Sequence, residues 1–361
     1  MKKLLVLLLV LTMSLFVFVG CSSEKPASET PATETPTTET PSTETPEETP
    51  AADDSVKTGV AVISSIDKSK DAADEDGLAE VDSVAVAVTV DNDGKIVKAA
   101  IDTAQTKINF SKEGKLTTDI ASEFKSKQEL GTEYGISKVS TIGKEWNEQA
   151  NALAEYVVGK TVEEIKGIAV TEEGVPTDAD LAASVTIKIG DYINGIEKAV
   201  ANAQDLGAKS SDKLGLGVST TIAKSKDATD DADGLAQAYS YYTATTFDAD
   251  GIITSCAIEA SQSNVNFTKE GKITTDLTAP LKSKIELGDE YGMKGTSKIG
   301  KEWFEQSDAF SKYVVGKTVE EVEGIAVDAD GHATDADLMA SVTVGIGEFQ
   351  ETIAKAEANA K

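Results

Sequence analysis

The chain alternates apolar and polar positions in a way that predicts sheet first and helices later. Four valines between Val84 and Val90 alternate with smaller residues, which is typical of a strand with a buried face. Residues 91–94 read Asp-Asn-Asp-Gly, a turn signal, and an extended pattern resumes at Ile96. These two runs predict a β-hairpin.

Three later segments have helical spacing. Residues 144–158 carry apolar side chains on one helical face and are followed by Gly159. Thr161 with Glu164 forms a capping-box pattern, which predicts a short helix. Apolar residues then recur every three or four positions over residues 189–203, which predicts an amphipathic helix. The predicted fold class is therefore α+β.

The second half of the chain repeats the first at an offset of 157 residues, the interval between Trp146 and Trp303. The match needs no gap from Asp76 onward, and Gly59 matches Gly215 after a slip of one residue. Each copy has about 145 residues, enough for its own core. Two long copies indicate a tandem duplication. We predict two homologous domains, residues 55–206 and 207–361, each an antiparallel sheet packed with helices.

The first 54 residues have a different composition. Two lysines and an apolar run precede Gly20 and Cys21, which predicts an export signal over residues 1–20. Cys21 resembles the acylated cysteine of bacterial lipoproteins, so we expect a lipid anchor on the extracellular face of the membrane. An ordinary secretory signal that contains a cysteine is the alternative. Residues 21–54 are rich in Pro, Glu and Thr, which predicts an extended tether.

The chain is strongly acidic. Its formal charge is −28, and all 34 basic residues are lysines. Binding to a phosphate backbone needs a basic face, so nucleic acid is not an expected partner. An anionic lipid surface would also repel the repeats. The acyl group expected on Cys21 is therefore the one membrane contact that we predict.

Cysteine and histidine are too few for several cofactors. Cys256 is the only cysteine after Cys21, and His332 is the only histidine. Haem attachment, cysteine-ligated iron–sulfur clusters and histidine-based zinc sites are excluded by these counts. We expect no metal site, and we interpret His332 as a solvated loop residue.

Residues 180–186 read Asp-Leu-Ala-Ala-Ser-Val-Thr, and residues 337–343 repeat this segment with one Ala replaced by Met. The segment resembles the attachment site of proteins with covalent FMN, such as the flavin-carrying component of the sodium-pumping quinone reductase. In that pattern the final threonine is esterified to the flavin phosphate. Ala183 and Val185 depart from it. The resemblance implies Thr186 and Thr343 as the modified residues, Asp180 and Asp337 as the motif aspartates, and Ser184 and Ser341 as the motif small residues.

A wider part of the chain is similar to the two-flavin lipoproteins of Gram-positive extracellular electron transfer, which belong to the FMN-binding domain family. The similarity includes the lipoprotein signal, the segments 127–131 and 284–288, and Lys-Ile-Gly-Lys-Glu-Trp at 298–303. It implies two covalent FMN groups, transferred from FAD by a flavin transferase. It also implies that the protein receives electrons from a membrane quinol-oxidising donor and passes them to external acceptors such as ferric iron. Such a protein is an electron carrier more than an enzyme with its own substrate.

Paired aromatic residues are candidates for the walls of a flavin site. We expect Tyr134 and Tyr291 to have this role. The apolar helix face that carries Trp146 predicts core packing for that residue. Further pairs of weaker candidates are Tyr156 with Tyr313 as wall residues, and Lys144 with Lys301 as groups that neutralise phosphate.

Alternative interpretations remain open from the sequence. Residues 184–189 also alternate as a half-buried strand would, with Thr186 as a residue that merely favours strands. A surface lipoprotein that binds solutes or the cell wall without a cofactor would also have this organisation, and its repeats would give avidity. Residues 14–20 of the signal resemble peptides that are released as pheromones, a role compatible with either function.

Overall fold

The computed structural model describes residues 54–361, which belong to one compact unit, Ala52–Lys361. The predicted export signal, Cys21 and nearly all of the predicted tether lie outside the described residues. Within residues 54–361, no helix is long and apolar enough to cross a membrane.

Both repeats have strands first and helices afterwards. The first contains β1 (Ser55–Ser65), β2 (Gly77–Val90), β3 (Ile96–Phe110), α1 (Lys127–Leu130), α2 (Trp146–Tyr156), α3 (Val162–Lys166), α4 (Ala179–Ala182) and α5 (Gly190–Ala201). β4 (Gln204–Lys209) joins the repeats, and the predicted boundary between residues 206 and 207 falls inside it. The second contains β5 (Lys213–Thr221), β6 (Gly234–Phe247), β7 (Ile253–Phe267), α6 (Lys284–Leu287), α7 (Trp303–Val314), α8 (Val319–Glu323), α9 (Ala336–Met339) and α10 (Gly347–Asn359).

The predicted hairpin is confirmed, since β2 and β3 pair antiparallel along their whole length. The Asp91 carboxylate closes the turn by accepting hydrogen bonds from the backbone N–H groups of Asp93 and Lys95. Gly94 has a φ of 79°, which a residue without a side chain adopts at little cost.

The predicted helices are confirmed as α2, α3 and α5. Thr161 and Glu164 make both hydrogen bonds of the capping box at the start of α3. The fold class is α+β, as the sequence predicts, with two antiparallel sheets and helices packed on them.

The sheets have the strand orders β3-β2-β1-β4 and β5-β6-β7. They pack face to face, and the helices of each repeat cover the outer face of its own sheet. On β2, Val86 points toward the helices and lies in a core with Leu153 and Ile196. Ala85 points to the other face and lies in a core with Tyr242 of the second repeat. Both faces of this strand are therefore buried.

Contacts between the repeats are reciprocal. Phe110 stacks on its counterpart Phe267 with a centroid separation of 4.2 Å and an interplanar angle of 7°. The Asp227 carboxylate accepts a hydrogen bond from the backbone N–H of Leu116. In the equivalent bond, the backbone N–H of Ile273 in the second repeat donates to the Asp71 carboxylate in the first repeat. The two halves are thus related by an approximate two-fold axis.

Two ion pairs follow the same relation. Lys198 pairs with Glu286 at 2.7 Å, and Lys355 pairs with Glu129 at 3.0 Å. Each joins the last helix of one repeat to the first short helix of the other.

Candidate functional site

Thr186 lies in an irregular segment between α4 and α5. The interpretation of residues 184–189 as a half-buried strand is wrong, because they form bends and loop without strand pairing. Val185 and Ile189 are fully buried and Thr186 is half-buried. Val185 departs from the alanine of the covalent-flavin motif, and its side chain is part of the core of the first repeat. Core residues on both sides therefore hold the threonine at the edge of the core.

A buried glutamine fixes the threonine. The Gln149 side-chain oxygen accepts a hydrogen bond from the Thr186 backbone N–H at 2.8 Å and another from its hydroxyl at 3.1 Å. The Gln149 side-chain nitrogen donates to the Lys144 carbonyl at 3.0 Å. In the second repeat, Gln306 makes the same two bonds to Thr343, at 2.8 and 3.2 Å.

A cleft of about 440 Å³ begins at the residues that follow Thr186. Ile187 and Lys188 line it, whereas Thr186 itself does not. Tyr134 and Trp146 form aromatic walls, so the structure brings the predicted wall residue Tyr134 next to the threonine segment. Trp146 also belongs to the core, as the sequence predicts.

Lys127 also lines this cleft, although its side chain lies almost wholly inside the protein and is only 9% exposed. Its ammonium lies 4.6 Å from the ring centroid of Tyr134 and 5.5 Å from that of Trp146. Sequence reasoning missed this residue, since it noted the segment 127–131 only as part of a resemblance. The available signal was a lysine that directly follows a helix-capping serine in both repeats, Ser126 in the first and Ser283 in the second.

The corresponding lysine of the second repeat, Lys284, is 2% exposed. Its ammonium lies 4.3 to 4.9 Å from the ring centroids of Tyr239, Tyr291 and Trp303, and it donates a hydrogen bond to the Tyr239 hydroxyl. Burial lowers the pKa of Lys284 to about 7, against the opposing effect of nearby Glu259. The predicted wall residue Tyr291 thus lies beside this lysine.

The two repeats differ at this place. Tyr241 stands where Val84 lines the cleft of the first repeat, and Tyr239 stands where the first repeat has Asp82. The rings of Tyr239 and Tyr241 stack with a centroid separation of 4.4 Å. The second site is therefore more aromatic than the first. Comparison of the two repeat sequences alone did not connect this difference with the site.

The remaining candidates lie outside the cleft lining. Asp180 and Asp337 are exposed in the first turns of α4 and α9. Ser184 is half-buried, and the Ser341 hydroxyl donates to the Leu338 carbonyl at 3.2 Å. Lys144, like its counterpart Lys301, offers its backbone carbonyl to the glutamine that holds the threonine.

Tyr156 does not line the cleft beside Thr186, and the cavity that Tyr313 lines does not include Thr343. Tyr313 lines a separate cavity of about 390 Å³ with Lys317 and Asp335. The Lys160 ammonium lies 4.2 Å from the ring centroid of Tyr156. This pair therefore does not form walls of the candidate site.

The helix that follows each threonine begins four residues later and carries one acidic residue in its first turn, Asp191 or Glu348. α5 begins at Gly190, four residues after Thr186, and has 12 residues. Backbone N–H groups in its first turn lack intrahelical acceptors, and the helix dipole favours negative charge there. α10 begins at the same distance from Thr343.

Buried carboxyl groups lie behind the short helices that carry the lysines. Asp102 accepts hydrogen bonds from the backbone N–H groups of Thr103 and Gln128, and burial raises its pKa to about 6. Its counterpart Glu259 accepts a hydrogen bond from the Ser283 hydroxyl at 2.6 Å. Burial raises the pKa of Glu259 to about 7. Nothing in the local sequence pattern singled out these residues.

Asp328, Asp330 and His332 bring possible metal ligands within 4.8 Å of one another. The Asp328 carboxylate, however, accepts hydrogen bonds from the backbone N–H groups of Asp330 and His332, both at 2.9 Å. These hydrogen bonds are those of a turn, and the turn explains why the three side chains lie close together. The first repeat has Thr171, Glu173 and Val175 at the matching positions.

Another cavity, of about 520 Å³, lies between β3 and β5. Its lining includes Ala99, Asp102, Leu214 and Leu216 and no residue of either threonine segment. It is larger than the cleft beside Thr186 but offers no link to the threonines.

Comparison with known proteins gives little further information. No protein-family model matches the chain, and no solved structure matches it. Chlorophenol reductase of Desulfitobacterium hafniense is 51% identical over 41 residues, which are 11% of this chain and 12% of the reductase. The chain thus matches about an eighth of the length of that protein, and so short a likeness shows no family.

Proposed function

We propose that this chain is an extracellular, lipid-anchored electron carrier with one FMN bonded through its phosphate to each of Thr186 and Thr343. The observation that carries the proposal is the setting of Thr186. Buried Gln149 holds its hydroxyl, and the next residues open into a cleft lined by aromatic residues, by lysines and by the carboxylate residues Glu173 and Asp191. Thr343 has the same glutamine contact in the second repeat.

The residues present suit such a bond. The threonine oxygen would bond to the FMN phosphorus of FAD while the bond from that phosphorus to AMP breaks and the hydroxyl proton passes to solvent. Gln149 accepts the hydroxyl hydrogen, which leaves the oxygen lone pairs for the phosphorus. The start of α5 favours the added negative charge. A flavin transferase is the partner that the family resemblance implies.

The proposed carrier works between a membrane quinol-oxidising donor and external acceptors such as ferric iron. A bound FMN supplies one- and two-electron chemistry. Covalent attachment would keep the cofactor on a protein that functions outside the cell, and acylated Cys21 would keep the protein on its membrane. Nucleic acid is not among the proposed partners.

Intact mass tests the proposal. Full-length protein from cells that contain a flavin transferase should gain the mass of FMN less water twice and fluoresce in a denaturing gel. Thr186→Ala and Thr343→Ala should each remove one adduct. Thr177→Ala is a matched control, because its hydroxyl bonds a loop carbonyl instead. A colourless native protein without added mass would favour a surface-binding lipoprotein.

A further inference from the structure

The ammonium groups of Lys127 and Lys284 are buried, and neither contacts a carboxylate among residues 54–361. Glu259 acts on Lys284 from beyond ion-pair distance. Among residues 54–361, neither lysine forms an ion pair, and the hydrogen bond from Lys284 goes to the neutral Tyr239 hydroxyl. Aromatic rings contact both ammonium groups. Burying an unpaired cation is costly, and cation–π contacts offset only part of that cost.

Other partly buried lysines of this chain are paired. Lys198 and Lys355 have side chains that are 24% and 26% exposed, and each contacts a glutamate across the repeat interface. The chain has 62 acidic residues against 34 lysines, so carboxylates are plentiful. A shortage of carboxylates therefore does not explain why Lys127 and Lys284 have no carboxylate partner.

The position of the lysines supplies that reason. Lys127 lines the cleft that begins directly after Thr186, together with Tyr134 and Trp146. Lys284 has the same place in the second repeat, where Tyr291 and Trp303 contact it. Each cation therefore faces the place next to a threonine where a bound group would lie.

We propose that Lys127 and Lys284 balance the negative charge that a flavin ring acquires on reduction, and that each raises the reduction potential of the flavin in its own repeat. This inference rests on the proposed function. Two electrons from the donor and one proton from water, added to the oxidised ring, leave it with one negative charge. A cation near the ring stabilises that form. No bond forms between lysine and ring.

The second repeat supports the same role. Burial lowers the pKa of Lys284 to about 7, and negative charge placed beside it would raise that pKa. By linkage, the protonated lysine favours the charged form of its neighbour to the same extent. Lys284 is thus a poorly solvated cation that gains an opposite charge when the flavin ring beside it is reduced.

Lys127→Met tests the inference in a Thr343→Ala background, where the one remaining flavin is on Thr186. Redox titration with dithionite and reference dyes should show at least a tenfold weaker preference for the reduced form, which is about 30 mV for a two-electron couple. Lys127→Arg keeps the charge and should stay near the parent value. Lys160→Met is the matched control, because Lys160 contacts an aromatic ring outside the cleft.

A second readout needs no flavin. In the unmodified chain, Lys127→Met should raise the denaturant midpoint, because it removes an unpaired buried charge. A purely structural lysine would lower the midpoint and leave the potential unchanged. If the FMN mass is present and Lys127→Met leaves the potential at the parent value, the lysine role is wrong and the proposed function stands. If the parent carries no FMN mass, the proposed function fails and the inference fails with it.

Discussion

Gln149 holds Thr186 with a single oxygen that accepts two hydrogen bonds, one from the backbone N–H and one from the hydroxyl. The two residues are 37 positions apart, so a helix positions a loop that follows it much later in the chain. Gln306 and Thr343 repeat the arrangement. The reactive hydroxyl proposed in each repeat therefore depends on a fully buried side chain.

Gln149→Met should destabilise the protein by about 1 to 3 kcal/mol, because it leaves the backbone N–H of Thr186 without its acceptor. It should also reduce FMN attachment to Thr186 and leave attachment to Thr343 unchanged. Urea denaturation and intact mass measure the two effects. Gln306→Met should give the mirror result, and equal loss at both threonines in either variant would contradict the assignment.

Gly217→Ala should destabilise the second repeat strongly. A Cβ atom on Gly217 would lie 1.8 Å from the Thr352 carbonyl oxygen, so α10 must move away from β5. Overpacking of a well-packed core typically costs about 1 to 3 kcal/mol, and occasionally more. The first repeat has Ala61 at the matching position, and the last helix approaches its first strand instead at Gly59, where an added Cβ would lie 2.0 Å from the Ala199 carbonyl oxygen.

Gly190→Ala is the control for that change. No atom lies within 4 Å of a Cβ added at Gly190, the first residue of α5. Alanine favours helix over glycine by up to about 1 kcal/mol, so the variant should be neutral or more stable. In thermal denaturation, the melting temperature of Gly217→Ala should therefore fall well below that of the parent, whereas that of Gly190→Ala should stay the same or rise.

Glu259→Gln should change how stability depends on pH. Burial raises the pKa of Glu259 from 4.5 to about 7, so between these values the folded protein holds a proton that the unfolded chain has released. This group therefore makes the free energy of unfolding fall as the pH rises from 4.5 to about 7, by about 3 kcal/mol in total. The variant should lack that fall, as urea denaturation at several pH values will measure.

An amide is the appropriate replacement, because its oxygen can accept from the backbone N–H groups of Ala260 and Ile285 while its nitrogen donates to the Ser283 hydroxyl. The stability of the variant relative to the parent should improve as the pH rises. A constant difference between pH 4 and pH 8 would show that Glu259 has an ordinary pKa.

Phe267→Ala should weaken both repeats, since the ring stacks on Phe110 of the other repeat. Loss of a buried phenylalanine costs about 3 to 5 kcal/mol. Hydrogen exchange should show reduced protection in β2 as well as in β6. Phe310→Ala removes a ring from the core of the second repeat alone, and its effect on exchange in β2 should be smaller.

The elements with local signals could be predicted from the sequence. The capping box at Thr161, the turn at Gly94 and the apolar face around Leu153 each depend on residues within a few positions, and each element is confirmed. The fold class follows from them. The repeat offset also located equivalent positions correctly, as the stacking of Phe110 on Phe267 illustrates.

Long-range packing could not be predicted in this way. Ala85 is as fully buried as Val86, but alanine occurs on buried and solvated faces alike, so alternation with valine did not reveal a second covered face. The loop at Thr186 depends on Gln149, which no local periodicity connects with it. Lys127 was missed because a lysine is expected in solvent, and its burial depends on rings from other elements.

The back-to-back sheets also bear on how such a chain could arise. One repeat alone would expose the apolar inner face of its sheet, with Ala85, Val60 and Val62 open to water. A single-copy ancestor would have needed a second molecule to cover that face, and the approximate two-fold relation is the symmetry of such a homodimer. Gene duplication and fusion would then have made the pairing permanent and freed each half to diverge, as Tyr239 and Tyr241 have done from Asp82 and Val84.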